Sequence, residues 1–266
     1  MPQSKVGKMG LSGKVALITG GGTGIGKAIA EALAKDRARV AIVSRNPSHL
    51  ETAKAALQGL CHSVLTIQMD VRKKAEVQSA VGKVLDTWGS IDILVNNAGL
   101  SGLNPINEQD DNQWYDILET NLSGLYLITK EVLRVMRDNH NGRIINISSV
   151  LGKFGVAGYT AYCASKHGVI GFTKALALEV ASRGITVNAI CPGWVDTEMA
   201  RSGMDQIAAT QGISVENFKK HALEAVPIKR FLEPEEVAQL VLFLASDKTG
   251  GITGQAINIC GGQTLV

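Results

Sequence analysis

Short apolar runs alternate with longer amphipathic stretches along the whole chain. Seven runs rich in β-branched residues predict strands at residues 14–19, 39–44, 63–69, 91–96, 143–148, 185–191 and 256–260. Between them, apolar side chains recur at spacings of three and four, as Ile25, Ile29 and Leu33 do, which is typical of a helix with one buried face. Strands that are apolar throughout, each leading into a helix, indicate a parallel sheet covered on both faces.

The same pattern predicts how the chain is organised. Helices are expected at about 48–57, 73–88, 111–137, 159–182 and 234–245, with an irregular, partly helical insert at 194–230. No linker, repeat or low-complexity segment interrupts the alternation, so we predict one α/β domain. Its seven-stranded, mostly parallel sheet is doubly wound, with helices on both faces. A tail of residues 1–12 precedes this domain at 13–266, and the insert is expected to form a lid over a substrate.

A glycine-rich segment separates the first strand from the first helix. Gly20, Gly24 and Gly26 follow the spacing G-x-x-x-G-x-G, which lets a pyrophosphate approach the positive end of a helix. From Gly21 the segment also matches G-x-x-x-x-G-K, the phosphate loop of nucleoside triphosphatases. That loop requires a Ser or Thr next, and Ala28 stands there instead. Close packing of the helix on the strand is a third explanation of the glycines.

Four polar residues are candidates for chemistry. Tyr162 and Lys166 are four apart in a predicted helix and share a face, so the ammonium would favour the phenolate and lower the pKa of a catalytic tyrosine. Taken alone, such a pair is more often two half-buried surface residues than a catalytic pair. Ser149 follows the fifth strand at the edge where ligands bind in open α/β sheets. Asn121 is a poor helix former inside a predicted helix, and is either solvent-facing or functional.

Seven sequence elements occur together in a recognisable order. They are TGGGTGIG at 19–26, DV at 70–71, NNAG at 96–99, NLSG at 121–124, Ser149 thirteen residues before the tyrosine, YxxxK at 162–166, and PGWVDT at 192–197. With them, nearly the whole chain resembles the short-chain dehydrogenase/reductase family. The resemblance implies a Rossmann fold and hydride transfer between a nicotinamide cofactor and a carbonyl or secondary alcohol.

The resemblance also implies roles for individual residues. Tyr162 would be the general acid or base, Lys166 would lower its pKa and bind the nicotinamide ribose, Ser149 would orient the substrate oxygen, and Asn121 would hold a water in a proton relay. The expected cofactor-binding residues are Gly20, Thr23, Gly24, Ile25, Gly26, Ser44, Arg45, Asp70, Val71, Asn97, Gly99, Tyr162, Lys166, Pro192, Gly193, Val195 and Thr197.

Two further features bear on cofactor and substrate. NAD enzymes of this fold carry a carboxylate at the end of the second strand, where this chain has Ser44 followed by Arg45, so we expect NADP(H) to be preferred and NAD(H) to be possible. The chain is similar to bacterial 3-oxoacyl reductases and, through NICGG at 258–262, to aromatic polyketide ketoreductases. An NAD-dependent dehydrogenase of a hydroxy acid or alcohol, like 3-hydroxybutyrate dehydrogenases, is the alternative. A non-catalytic dinucleotide sensor is less favoured because such proteins typically lack the Tyr–Lys pair.

Composition limits the partners. The net charge is +3 with no basic block, and 5% of the 266 residues are aromatic, which argues against nucleic acid. No apolar run is long enough to span a membrane, the N-terminus has no secretory pattern, and no Cys/His cluster suits a metal, so we expect a cytoplasmic, metal-free enzyme. It would act on a small carbonyl or alcohol, with Leu151, Phe154, Trp194 and Met199 as apolar lining. The family resemblance implies a homotetramer.

Overall fold

The seven predicted strands form one sheet in the computed structural model, which describes residues 9–60, 63–107, 111–139 and 141–266, and all their side chains except those of 137–139. The strands are β1 Val15–Thr19, β2 Arg39–Ser44, β3 Val64–Gln68, β4 Ile93–Asn96, β5 Gly142–Ile147, β6 Ile185–Pro192 and β7 Ala256–Ile259. Every neighbouring pair is parallel, in the order β3-β2-β1-β4-β5-β6-β7. The sheet is therefore parallel throughout, and the strand order reverses between β1 and β4. Ligands bind outside the carboxyl ends of the strands at such a switch point.

Helices cover both faces of the sheet. They are α1 Gly24–Lys35, α2 Pro47–Gln58, α3 Lys74–Trp88, α4 Asp111–Leu118, α5 Gly124–Asn139, α6 Thr160–Val180, α7 Glu198–Gln211, α8 Val215–Glu224 and α9 Pro234–Ala245. The apolar faces of α1, α2 and α9 pack in one core, and those of α3, α5 and α6 pack in a second core on the opposite side. The predicted doubly wound architecture is confirmed, and all sites at the carboxyl edge rest on strands buried from both sides.

The predicted helix at 111–137 is not continuous. A π-helical turn at Glu119–Ser123 separates α4 from α5, and Asn121 lies inside it. The Asn121 side chain is fully buried and bonds to the backbone of Leu100 and to Ser165, which draws this turn toward the sheet edge. A helix with one wider turn accommodates these contacts, and such turns are frequent at functional sites.

The insert at 194–230 is more regular than predicted, because it contains α7 and α8. Thr197 caps α7, its Oγ1 accepting a hydrogen bond from Ala200 N at 3.2 Å, and Ser214 caps α8 in the same way. Both helices lie above the carboxyl edge of the sheet and line a cavity there. Closure of this insert as a lid remains a prediction.

Part of the predicted N-terminal tail belongs to the folded domain. Met9 N and Leu11 N donate to the carboxylate of Asp36 at 3.1 and 3.0 Å, and Leu11 is buried in the core. Residues 9–12 therefore pack against the domain that was predicted to begin at residue 13. Among the described residues, no helix is both long and apolar enough to cross a bilayer.

Candidate active site

The glycine loop between β1 and α1 is built for close approach of a ligand. Gly20 has a φ of +64°, and a Cβ at Gly26 would collide with Gly20 O and the Asn97 amide. Asn97 Nδ2 holds the loop by donating to Thr19 O at 3.0 Å and Gly20 O at 3.1 Å. Thr23 begins α1 without a side-chain cap, so the first-turn N–H groups remain available to an anion. This cradle fits the pyrophosphate of a dinucleotide.

Ser149 and Tyr162 meet at the carboxyl end of β5. Ser149 begins a short 3₁₀ turn, and its Oγ accepts a hydrogen bond from Leu151 N at 3.1 Å, which fixes the side chain. Tyr162 lies in the first turn of α6, close enough to Ser149 for the Ser149 hydroxyl to lower its pKa. Both hydroxyls line the same cavity, so a carbonyl oxygen entering there can receive two hydrogen bonds.

Lys166 lies one turn beyond Tyr162 and is 5% exposed. Its Nζ donates to Ile147 O at 2.9 Å and lies 5.5 Å from the centre of the Tyr162 ring. Burial lowers the pKa of Lys166 to about 8. Burial likewise raises the pKa of Tyr162 to about 12, and the Ser149 hydrogen bond only partly opposes it. The expectation that Lys166 lowers the tyrosine pKa stays a prediction.

Asn121 supports the site from behind. Its Oδ1 accepts from Leu100 N at 2.7 Å, and its Nδ2 donates to Leu100 O at 2.9 Å and to Ser165 Oγ at 3.0 Å. Ser165 Oγ donates in turn to Tyr162 O at 2.8 Å. The Asn121 side chain has no remaining capacity for a water on its Nδ2, since both N–H groups are used. Any water held by this residue would therefore bind to its main chain or to the second lone pair of Oδ1.

Most of the predicted cofactor residues line one cavity of about 1010 Å³. The predicted cofactor residues that line this cavity are Gly20, Thr23, Gly24, Ile25, Asn97, Gly99, Tyr162, Lys166, Pro192, Gly193, Val195 and Thr197. Ser149 lines it as well. Residues that are far apart in the chain are thus brought together between the glycine loop and the 194–230 insert.

A second pocket, of about 420 Å³, lies at the ends of β2 and β3. Arg45 and Asp70 line it together with Gln68, Met69, Lys73 and Glu76. Burial raises the pKa of the Asp70 carboxyl, but the hydrogen bonds and charge of Arg72 outweigh burial and hold this pKa below its usual value. Arg72 Nε and Nη2 contact the carboxylate at 2.8–3.1 Å, so Asp70 remains ionised and fixed. Four predicted residues line neither cavity: Gly26, Ser44, Val71 and Asn121.

The substrate end of the large cavity is mainly apolar. Its lining includes all four predicted residues, Leu151, Phe154, Trp194 and Met199. The sequence did not indicate the further lining residues Leu103, Tyr159, Ile207, Phe218 and Gln263. They come from five separate segments, and no local pattern marks residues that only the fold brings together. Within the described part of the chain, no group of three His, Cys, Asp or Glu side chains could hold a metal ion.

Known proteins are similar to this chain in sequence and in fold. The family model for short chain dehydrogenase matches residues 14–208. A putative ketoacyl reductase of Streptomyces coelicolor is 42% identical over 94% of this chain and 96% of its own length, and the 3-oxoacyl-(acyl-carrier-protein) reductase of Escherichia coli is 42% identical over 97% and 100%.

Two solved structures superpose on nearly the whole chain. An actinorhodin polyketide ketoreductase variant solved with NADPH has a TM-score of 0.91, with 42% identity over 94% of this chain and 97% of its own. Levodione reductase also has a TM-score of 0.91, with 34% identity over 95% and 98%. With the Ser149, Tyr162 and Lys166 side chains in place at the carboxyl edge, the chain belongs to the short-chain dehydrogenase/reductase family and is an oxidoreductase of ketoacyl-reductase type.

Proposed function

We propose that the protein is an NADP(H)-dependent reductase of ketone carbonyls, of the 3-oxoacyl or polyketide type. The Ser149–Tyr162 pair carries this proposal, because both residues line one largely apolar cavity together with the buried Lys166. A dinucleotide-sensing protein has no need for this trio, and the known relatives of similar length are named as reductases.

Each residue of the site has its own role in the proposed reaction. When bound, the nicotinamide cofactor supplies the hydride that reaches the carbonyl carbon. The hydroxyls of Ser149 and Tyr162 bind the carbonyl oxygen, and Tyr162 then gives it a proton. Its raised pKa keeps that proton in place at neutral pH. The Lys166 ammonium favours the phenolate that remains, and a water on the Asn121 main chain would resupply the proton.

The glycine loop and the first turn of α1 would hold the pyrophosphate, and Lys166 the nicotinamide ribose. The segment from Pro192 to Thr197 would hold the nicotinamide, and Asp70 with the backbone of Val71 the adenine. The Val71 side chain is buried, and a Cβ at Gly124 would lie 2.7 Å from it, so only the Val71 backbone is available to a ligand.

The charges near the end of β2 favour NADPH over NADH. Arg45 is exposed, and its side chain has no ion pair or hydrogen bond within the described residues. Gln68 Nε2 donates to Arg45 O at 3.1 Å, which holds the backbone in place. A 2′-phosphate would therefore meet a free guanidinium, whereas the Asp70 and Glu76 carboxylates of the same pocket are already paired with Arg72 and Lys73.

The lining of the cavity also limits the substrate. Lys166 is its only Lys, Arg or His among the described lining residues, and Glu198 is its only carboxylate. A free hydroxy acid would bring a negative charge into the cavity with no second cation to receive it. The alternative, an NAD-dependent dehydrogenase of a hydroxy acid, is thus less favoured than reduction of an uncharged ketone or acyl thioester.

Steady-state kinetics with a panel of uncharged ketones test this function. We expect kcat/KM to be about ten- to a hundredfold higher with NADPH than with NADH, since a hydrogen bond to a charged group contributes about 1.5–3 kcal/mol. Arg45→Ala is expected to remove most of that preference. Arg39→Ala, on the exposed amino end of β2, is the matched control. Equal or better use of NADH would assign the enzyme to NAD, and no turnover with either cofactor would contradict the proposal.

A further inference from the structure

Gln263 lies in the large cavity with an unsatisfied polar atom. Its Oε1 is buried and has no hydrogen-bond partner. Four buried side-chain atoms in the described part of the chain are unpartnered in this way, and the others belong to Asn96, Thr120 and Asn258. Of the four residues, only Gln263 lines the cavity. Buried polar atoms are nearly always hydrogen-bonded, so an exception in a binding cavity indicates an atom that a ligand satisfies.

The position of this oxygen is defined by the Pro192–Gly193 turn. A Cβ at Gly193 would lie 2.9 Å from Gln263 Oε1 and 3.0 Å from Cys260 Cβ. The glycine therefore provides the space that the Gln263 amide occupies. Ser149 and Tyr162 line the same cavity, so one ligand can reach their hydroxyls and this amide together.

The C-terminal segment that carries Gln263 is held to the active-site turn. Lys153 directly follows the 3₁₀ turn that Ser149 begins, and its Nζ donates to Ala256 O and to Val266 O, both at 2.8 Å. Asn258 Nδ2 also donates to Val266 O, at 2.9 Å, and Gln263 N donates to Cys260 O at 3.2 Å. The backbone around Gln263 is thus fixed at both ends, which is a requirement for a residue that selects between ligands.

We propose that Gln263 determines substrate specificity by accepting a hydrogen bond from a second polar group of the substrate. An amide oxygen can only accept, so that group must carry a donor, either a hydroxyl or an N–H. A ketone whose remaining structure is purely hydrocarbon leaves the buried oxygen unsatisfied, and the enzyme selects against it. The inference rests on the proposed ketone reduction and adds a hydroxyl- or N–H-bearing ketone as its substrate class.

Paired ketones test the proposal. The probes are linear methyl ketones with a hydroxyl on successive carbons, each matched by the analogue in which a methyl group replaces the hydroxyl. For the wild type, we expect kcat/KM to favour the best hydroxyketone over its analogue by about tenfold or more, the scale of one buried hydrogen bond. Gln263→Met, which keeps the length of the side chain, is expected to remove most of this ratio, whereas Gln263→Glu keeps an acceptor and should retain it.

A matched control and a second measurement make the outcome decisive. Gln211→Met makes the same chemical change at an exposed residue that lines the mouth of the cavity, and it should preserve the ratio. Calorimetric binding of the corresponding diols and alcohols measures the preference without turnover, so it decides the role of Gln263 even if no ketone is reduced and the proposed function fails. An unchanged preference in Gln263→Met, or a loss of NADPH affinity with the preference intact, would overturn the inference.

Discussion

At the scale of single residues, burial sets the proton chemistry of the site. Tyr162 and Lys166 are both removed from water, and burial disfavours the charged form of each, so their pKa values move apart, to about 12 and about 8. Ser149 offsets part of this effect by its hydrogen bond to the tyrosine. At neutral pH, the pair holds a protonated phenol beside an ammonium, which is the arrangement that a carbonyl reduction requires.

Removal of the Tyr162 hydroxyl tests its catalytic assignment. Tyr162→Phe is expected to lower kcat by a factor of about 10²–10⁴, the usual contribution of a positioned proton donor. Cofactor affinity, measured by fluorescence titration, should change little. Tyr159→Phe removes a hydroxyl from the same cavity, with a ring 6.4 Å away, and should lose far less activity. A Tyr162→Phe enzyme with more than a tenth of wild-type kcat would rule out this assignment.

The pH profile of ketone reduction should show the titration of the Lys166 ammonium. Because its pKa is lowered to about 8, the ammonium is present below that pH and is lost as the pH rises through it. We expect kcat/KM to be independent of pH below about 8 and to fall about tenfold per pH unit above about 8. Tyr162 remains protonated over this range. Lys166→Arg keeps its charge to higher pH, so its lower activity should show no such decline. A profile that is flat to pH 10 would contradict the assignment.

At the scale of elements, the meeting of β1, α1 and the end of β4 makes the cofactor cradle. Asn97 at the end of β4 bonds to the backbone of the glycine loop, and Gly26 in α1 lies directly against Gly20 O. The three elements approach one another so closely at Gly26 that a side chain at this position would collide with Gly20 O and the Asn97 amide. Gly26 is required for this close approach, whereas Gly82 within α3 has open space where its Cβ would lie.

Alanine substitutions at Gly26 and Gly82 distinguish a glycine that close approach requires from one that it does not. Gly26→Ala should force Gly20 and Asn97 apart and weaken NADPH binding at least tenfold, measured by fluorescence titration. Gly82 lies within α3 with nothing within 4 Å of its missing Cβ, so Gly82→Ala should leave binding unchanged. It should also stabilise the protein by about 0.5–1 kcal/mol, the difference between Gly and Ala in a helix. Wild-type NADPH affinity in Gly26→Ala would show that the loop tolerates a Cβ.

The strands were predictable because their apolar runs are local, and each observed strand lies within two residues of its prediction. The shared face of Tyr162 and Lys166 follows from helical spacing alone. The π-helical turn was not predictable, because Leu100 and Ser165 hold Asn121 from distant segments. The direction of the Lys166 ammonium depends on the carbonyl of Ile147 in another element, so helical spacing alone does not predict it.

At the scale of the whole molecule, apolar surface remains uncovered in two regions. On one side, Leu178 of α6 is 86% exposed, and Tyr126 of α5 is also exposed. In the other region, β7 is an edge strand of the sheet, and Leu265 and Val266 beyond it are exposed. Edge strands and contiguous apolar surface are usually covered by another chain. Two separate regions of this kind are expected in an oligomer whose subunits associate through two different interfaces.

We therefore expect a homotetramer, paired through α5 and α6 and through the C-terminal strand. Light scattering at micromolar concentration should give four times the mass of the 28.2-kDa chain. Leu178→Glu places a carboxylate in the helical interface and should reduce the particle to dimers that retain the β7 contact, because burying an unpaired charge is unfavourable. Ile106→Glu makes the same change at a 71%-exposed residue outside both regions and should leave the mass unchanged. A monomeric wild-type protein would contradict the expectation, and a Leu178→Glu tetramer would show that α6 lies outside the interface.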